Sequence, residues 1–360
     1  MSERIIVALS GGVDSAVTAL LLKRAGHDVQ GLYMHNWDED DEGYCTSAQD
    51  FQDARLVAAE LGIPLHRVDL SAAYRERVFA DFLTACSAGL TPNPDVLCNR
   101  EIKFGDCLRH AQRLGGRFLA TGHYARLVPG DDGPELHKGV DANKDQSYFL
   151  HAVERQAFAH ALMPLGDLYK QQVRELAREA GLPVAAKRDS TGICFIGERP
   201  FRQFLEHYVA HAPGPLVSVD GEQLGEHVGL PFYTLGQRGG IGIGGQRGGS
   251  GDAWYVVQKR REDNTVVVAQ GGDHPALYSR RLATGPVNWL CAMPPPLDAQ
   301  TTVRLRYRQA DQAARVELHT DGGVAIEPVT PQRAVTPGQF AVIYRGTRCL
   351  GGGVITQTEL

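Results

Sequence analysis

Over its first two hundred or so residues the chain alternates short apolar runs with longer stretches of helical periodicity. Residues 5–9, 29–34, 65–69 and 117–121 read as strands, the first of them Ile5, Ile6, Val7, Ala8 and Leu9 without interruption. Residues 15–25, 48–61, 74–87, 99–114, 167–180 and 200–208 carry apolar positions at helical spacing. Unbroken apolar strands separated by helices predict an α/β fold, a Rossmann-like doubly wound parallel sheet covered on both faces. Near residue 211 the texture changes. Pro213-Gly214-Pro215 stops the helical pattern, and short β-type runs with turn signals follow. A glycine-rich stretch over 236–251 reads as a loop. From about 280 the runs 302–307, 314–318, 324–328, 340–344 and 352–355 predict a small antiparallel barrel or sandwich. The expected organisation is therefore residues 1–211 as an α/β domain, 212–279 as a small β-rich central domain and 280–360 as a C-terminal antiparallel β-barrel.

Bulk properties narrow the class. At 360 residues the chain is long for one domain, and 43% hydrophobic with 22% charged residues is ordinary for a globular protein. It lacks an apolar run of transmembrane length and a basic-then-apolar leader, so a cytoplasmic protein with no membrane partner is expected. A net charge of −5 makes no global case for nucleic-acid binding, although local basic patches remain able to do it. The seven cysteines are an odd number, widely spaced and without a Cys-x-x-Cys, which argues against a disulfide framework and a structural zinc site. No metal held by protein ligands is expected.

The first chemistry lies directly after the first strand, in Ser10-Gly11-Gly12-Val13-Asp14-Ser15. A glycine turn between a strand and a helix N-terminus traps anions, because backbone N–H groups and the helix dipole point the same way. The loop has neither the Gly-Lys-Ser/Thr of a Walker A sequence nor the Gly-x-Gly-x-x-Gly of a dinucleotide site. It matches the Ser-Gly-Gly-x-Asp-Ser loop of ATP-pyrophosphatases, the PP-loop enzymes, which cleave ATP between the α and β phosphates.

Two cysteine loops come next. In the run from Thr91 to Arg100, two prolines stiffen an extended loop before a helix that Asn99 or Asp95 is placed to cap. Cys98 is expected at or beside that helix N-terminus, with Arg100 and Lys103 a turn on, which favours a thiolate; the alternative is a capped turn with a buried cysteine. Asp95 is close enough to exchange a proton. The run Ser190 to Pro200 carries Cys194 between glycines, which suits either a sulfur atom that moves between partners or a cysteine in a short buried strand. Cys107 reads as core, and Cys45, Cys86, Cys291 and Cys349 have no supporting neighbours. Arg304, Arg306 and Arg308 alternate with apolar residues, so a strand would project all three from one face beside Tyr307.

Together these segments, with Ala120 to Tyr124, Asp141 to Tyr148, Tyr233 to Arg238 and Gln270 to Pro275, resemble the bacterial-type tRNA-specific 2-thiouridylases over nearly the whole chain. The resemblance implies ATP-dependent 2-thiolation of the wobble uridine of tRNA, with Mg²⁺ assisting departure of pyrophosphate. It implies that Ala8, Leu9, Ser10, Gly11, Gly12, Val13, Asp14 and Ser15 hold the phosphates, with Met34 and Gly122 beside the adenosine. Asn93, Pro94 and Asp95 would grip the flipped-out base. Cys194 would carry the persulfide, Cys98 would be the partner nucleophile forming a transient Cys98–Cys194 disulfide, and Asp95 the general acid/base. Lys144, Asp145, Gln146, Arg306 and Tyr307 would touch tRNA. A sulfur-donor protein is implied as a partner, and a monomer is expected. The sequence departs from its relatives at Ala16 and at Gly239-Gly240, where a serine and a lysine are common. Two rival readings are another PP-loop ligase or amidotransferase, which leaves both cysteines without a task, and a non-catalytic nucleotide-dependent RNA-binding protein, which leaves Asp95 beside Cys98 unexplained.

Overall fold

The computed structural model describes residues 3–37, 47–189, 201–243, 251–294 and 296–360. The first part runs β1 (Arg4–Ala8), α1 (Val13–Arg24), β2 (Asp28–His35), α2 (Ser47–Leu61) and β3 (Leu65–Asp69). A helix over 71–87 (α3) and another over 94–113 (α4) precede β4 (Phe118–Ala120). A hairpin of β5 (Ala125–Val128) and β6 (Glu135–Lys138), a single turn α5 (Ser147–Leu150), the short β7 (Ala161–Leu162) and α6 (Lys170–Glu179) complete it. The parallel sheet has the order β3-β2-β1-β4-β7, as a doubly wound fold requires.

The alternation in β1 explains its central place. Ile5, Val7 and Leu9 pack on Ala16, Val17 and Leu20 of α1 and Val173 of α6. Ile6 and Ala8 face the opposite layer, with Leu32 of β2 and Cys107, Leu108 and Ala111 of α4. Past Arg4 at its first position the strand has no polar side chain and no solvent face to offer, so it is held between two helix layers. The carboxyl ends of β1, β2 and β4 then share one edge, which places the Ser10–Ser15 loop, Met34 and Gly122 together.

Helix α4 begins five residues before the sequence pattern placed it. Asn93 is its cap, accepting the Asp95 N–H at 3.2 Å, and Pro94 takes the first helical position, where its missing N–H costs nothing. From Cys98 to Cys107 it is wound as a π-helix, a form that concentrates at functional sites.

After α7 (Phe201–Glu206), strands β8 (Gly214–Ser218), β9 (Gln223–His227), β10 (Trp254–Arg260) and β11 (Thr265–Gln270) form a sheet in the order β10-β11-β8-β9. Its Leu216, Val256, Val266 and Val268 share a core with Phe79 and Phe82 of α3 and with Cys98 and Ile102 of α4. The last part comprises β12 (Tyr278–Ser279), β13 (Arg281–Thr284), β14 (Asn288–Trp289), β15 (Thr301–Arg304), β16 (Gln312–Leu318), β17 (Val324–Pro328), β18 (Gln332–Arg333), β19 (Phe340–Arg345) and β20 (Arg348–Glu359). Strands β13, β17, β16, β15, β19 and β20 close into a six-stranded antiparallel barrel, because β13 pairs with both β17 and β20.

The β5–β6 hairpin is too short to show in the hydrophobic pattern. It reaches out of the α/β part and adds to the barrel through His137 opposite Arg348. Val96 and Phe104 of α4, Tyr148 and Leu150 of α5, and Phe340, Val342 and Tyr344 of β19 share one core beneath it. No described helix is long and apolar enough to cross a membrane.

Candidate active site

The turn after β1 is built to bring anions close to backbone. Gly11 has φ +77°, and a Cβ there would lie 2.2 Å from the Asp50 carbonyl oxygen, so only glycine fits between the loop and α2. Gly12 is the N-cap of α1. The Ser10 N–H donates to Ser15 Oγ at 3.1 Å, and Ser15 Oγ donates back to the Gly12 carbonyl at 3.1 Å, which fixes the loop's curl. Gly122, just past β4, approaches the same helix end: a Cβ on it would come within 2.9 Å of the Asp14 carbonyl carbon and 3.0 Å of the Ser15 nitrogen. The two glycines thus bound a cradle with the exposed N–H groups of a helix start at its floor.

Charged side chains that sequence patterning did not single out surround this cradle. Lys170, at the first position of α6, donates to both Asp14 carboxylate oxygens at 2.7 and 2.8 Å and reaches Asp189 at 2.9 Å. The Tyr124 hydroxyl donates to Asp14 at 2.7 Å. Burial, and then the Asp14 charge, push the Tyr124 phenol far above its usual range, so it stays a donor. Lys187 donates to the Gly11 carbonyl at 3.1 Å and to Asp50 at 2.7 Å, and pairs with Asp53. Asp189 also takes Lys144 at 2.7 Å and Arg174. Burial alone would raise the Asp189 carboxyl, but the hydrogen bonds from Lys144 and Lys170 hold it well below the carboxylate range. Lys144 is therefore tied, through Asp189 and Lys170, to the phosphate loop. Three of these residues carried a signal of a kind: Tyr124 lies in a segment already singled out, and Lys187 and Asp189 directly precede the Ser190–Pro200 run.

The Asn93–Cys98 region departs from expectation in one respect. The helix starts at Pro94, so Cys98 sits one turn inside it and is wholly buried, rather than at the N-terminus. Most of the dipole's influence is spent within that first turn, which weakens it as a cause of thiolate character at Cys98. Asp95 is half-buried on the first turn, and Arg100 pairs with Glu101 at 2.7 Å. Cys86, Cys107 and Cys349 behave as core residues, their thiols pushed up to about 12 by burial. Cys194 lies outside the described residues, as does Cys45.

The arginine stripe is corrected. Strand β15 ends at Arg304, and the chain turns immediately, with Arg308 at φ +64°. The three arginines therefore do not share a strand face. Arg304 pairs inward with Asp145 and Asp311, Arg306 donates to the carbonyls of Arg333 and Ala334, and Arg308 lies over the Tyr307 ring. Tyr307 packs on Phe149 with ring centroids 4.4 Å apart, which brings the 306–307 turn against the turn holding Lys144, Asp145 and Gln146. Within that turn Asp145 is buried and receives the N–H groups of Gly139 and Ser147, and Gln146 accepts the Tyr124 N–H at 3.0 Å. Both side chains shape the turn. Among the described residues no group of three or more His, Cys, Asp or Glu side chains is placed to hold a metal.

Comparison with known proteins gives a consistent picture. Three family profiles match in succession: the tRNA methyl transferase HUP domain over residues 3–198, the tRNA methyl transferase PRC-barrel domain over 202–270, and the aminomethyltransferase beta-barrel domain over 279–355. The tRNA-specific 2-thiouridylase MnmA of Methylibium petroleiphilum is 53% identical over 98% of each chain. The protein of the same name from Cupriavidus metallidurans is 52% identical over 98% of this chain and 99% of its own. Among solved structures, a 4-thiouridine synthetase–RNA complex with bound ATP aligns with 57% of this chain and 50% of its own at 16% identity and a TM-score of 0.35, a likeness too slight to argue from.

Proposed function

The chain belongs to the tRNA-specific 2-thiouridylase family, and on that premise we propose that it uses ATP to replace the C2 oxygen of the wobble uridine of tRNA by sulfur. The observation that carries this reading at the level of the site is the glycine-bounded cradle, tied by ion pairs to Lys144 beside the RNA-facing turn. ATP lies with its phosphates on residues Ala8–Ser15 and its adenosine by Met34 and Gly122. Lys170 and Lys187 set positive charge at the cradle's rim. Mg²⁺, when bound, neutralises the departing pyrophosphate. Asp14, on the first turn of α1, is the carboxylate that would meet the ion or its water, in place of its bond from Lys170.

Uracil O2 is a poor leaving group. Its attack on the α-phosphorus forms an O–P bond and expels pyrophosphate, which leaves AMP on the base oxygen. Asn93, Pro94 and Asp95 hold the flipped base, with Asp95 moving the proton. The terminal sulfur of a Cys194 persulfide, loaded by a sulfur-donor protein, adds to C2 and AMP leaves with O2. Cys98 thiolate then attacks the Cys194 sulfur, so that the S–S bond to the transferred atom breaks and a Cys98–Cys194 disulfide forms. A dithiol reductant of the cytoplasm reopens it. The alternative order, in which Cys98 first liberates hydrosulfide, uses the same residues. Lys144, Arg306 and Tyr307 face the tRNA, on a surface whose turn the buried Asp145 and the inward-bonded Gln146 hold in shape.

Incubation with ATP, Mg²⁺, a persulfide source and tRNA, followed by mass analysis of digested nucleosides, should yield 2-thiouridine at the wobble position. Cys98→Ser and Cys194→Ser should each abolish it while preserving tRNA-dependent AMP formation. Persistence of 2-thiouridine in both variants defeats the sulfur-transfer roles, and absence of AMP with the unaltered protein defeats the adenylation step.

A further inference from the structure

The Asn99 side chain is 3% exposed, yet only half of its amide is satisfied. Its Nδ2 donates to the Phe149 carbonyl at 3.2 Å. A carbonyl only accepts, so the amide nitrogen must face Phe149 and Oδ1 must face away, where it has no partner. An unmet buried acceptor is costly to keep, and the Phe149 bond removes the freedom to rotate away from that cost. The position gives the oxygen a use. Asn99 follows Cys98 directly and lies four residues after Asp95, so Asp95 and Asn99 share one face of α4, with Asn99 the deeper of the two. Phe149, its anchor, packs on Tyr307. Asn99 therefore stands where the 93–95 turn, the 144–149 segment and the 306–307 turn meet.

We propose that Asn99 determines specificity for uracil, its Oδ1 accepting the N3–H of the target base. This inference rests on the 2-thiolation reading above. Uracil carries a hydrogen on N3, between O2 and O4, so a fixed acceptor at that point sets the direction of O2 as well as the identity of the base. Cytosine presents a lone pair at N3 and would meet Oδ1 with repulsion. Asn93, Pro94 and Asp95 lie at the helix mouth, whereas Asn99 is one turn inside it, so the hydrogen bond forms only with a base fully turned in.

The test measures kcat/KM for thiolation of tRNA carrying uridine, 5-methyluridine or 3-methyluridine at the wobble position, together with the Tm of each protein. The unaltered protein is expected to treat uridine and 5-methyluridine within about tenfold of each other and to lose roughly 10²-fold or more on 3-methyluridine, which lacks the hydrogen. Asn99→Ala is expected to lose roughly tenfold or more on uridine, to narrow the preference for uridine over 3-methyluridine by tenfold or more (the part that remains reflecting the N3 proton Asp95 removes), and to keep its Tm within a few degrees. Thiolation of 3-methyluridine by the unaltered protein at the uridine rate overturns the proposal. So does an Asn99→Ala protein that keeps full activity on uridine, or one that loses both substrates equally. Should Asn99→Ala not fold, Asn99→Ser and the comparison of the two methylated substrates decide the question. An unaltered protein inert toward uridine itself would overturn the 2-thiolation reading, a separate outcome from lost discrimination.

Discussion

Two networks of charge organise this molecule, and they differ in what their charges are for. One lies at the phosphate loop: Lys144, Lys170, Arg174 and Lys187 against Asp14, Asp50, Asp53 and Asp189. The other joins the α/β part to the barrel. There Lys138 pairs with Asp311 and donates to the Gly346 carbonyl at 3.0 Å, while Arg304 bridges Asp311 at 2.7 Å and Asp145. Tyr344 lies beneath both cations, 4.1 Å from Lys138 Nζ, and shares a hydrogen bond with Ser147. Both networks balance positive against negative, so counting charges does not tell them apart. Solvent does. The difference lies at Asp145, whose side chain is 1% exposed, against 33% for Asp14 and 29% for Asp189; Asp311, at the open edge of the second network, keeps 32%. A buried network that loses one member strands the rest without water, whereas a half-open network can exchange a carboxylate for an incoming phosphate. The first kind fixes the barrel in place, and the second is poised for a ligand.

The largest expected effect of breaking this contrast falls on the buried lock. Asp145→Ala leaves Arg304 without its deepest partner and should destabilise the protein by about 3–5 kcal/mol, read from the denaturant midpoint. Lys170→Met should do the reverse: tRNA-dependent AMP formation falls by roughly 10²–10³-fold while the midpoint moves little, and Lys170→Arg recovers part of the rate. A Lys170→Met protein as unstable as Asp145→Ala would erase the distinction between the networks. Gly11→Ala should follow, since its Cβ meets the Asp50 carbonyl in a backbone conformation that side chains disfavour. ATP binding measured by calorimetry should weaken by tenfold or more, about 1.4 kcal/mol at the least. The smallest effect concerns pH beside the interface. Burial lowers the His151 pKa from 6.5 to about 4. The unfolded chain therefore takes up a proton that the folded one refuses, and stability falls as pH drops from about 6.5 toward 4. His151→Gln should flatten the dependence of the unfolding midpoint in that window. An unchanged slope would assign the acid sensitivity to other groups, such as His123, whose pKa burial also lowers.

Much of the α/β part was legible because its signals are local. The apolar run over residues 5–9 has only one stable environment, and the glycine turn after it is spelled out within six residues. The helix over 94–113 was legible as a helix but not in its start, because Asn93 and Pro94 define that start through a cap bond rather than through hydrophobic spacing. The hairpin 125–138 escaped notice because each strand is four residues long and its place in the barrel depends on β6 meeting Arg348, more than two hundred residues away. The arginines of 304–308 misled for a related reason: alternation describes a strand only while the strand continues, and this one ends at Arg304.

The sequence by itself determined the order of the layers, the identity of the phosphate loop and the family to which the chain belongs, since all three depend on neighbouring residues. Only the tertiary structure decided which charges serve the loop and which lock the barrel. Asp14 lies far along the chain from Lys144, Lys170 and Asp189, and the pair Lys138 and Asp145 lies far from the pair Arg304 and Asp311. Whether a carboxylate is exchangeable or indispensable depends on how much water it keeps once folded, and no local pattern records that.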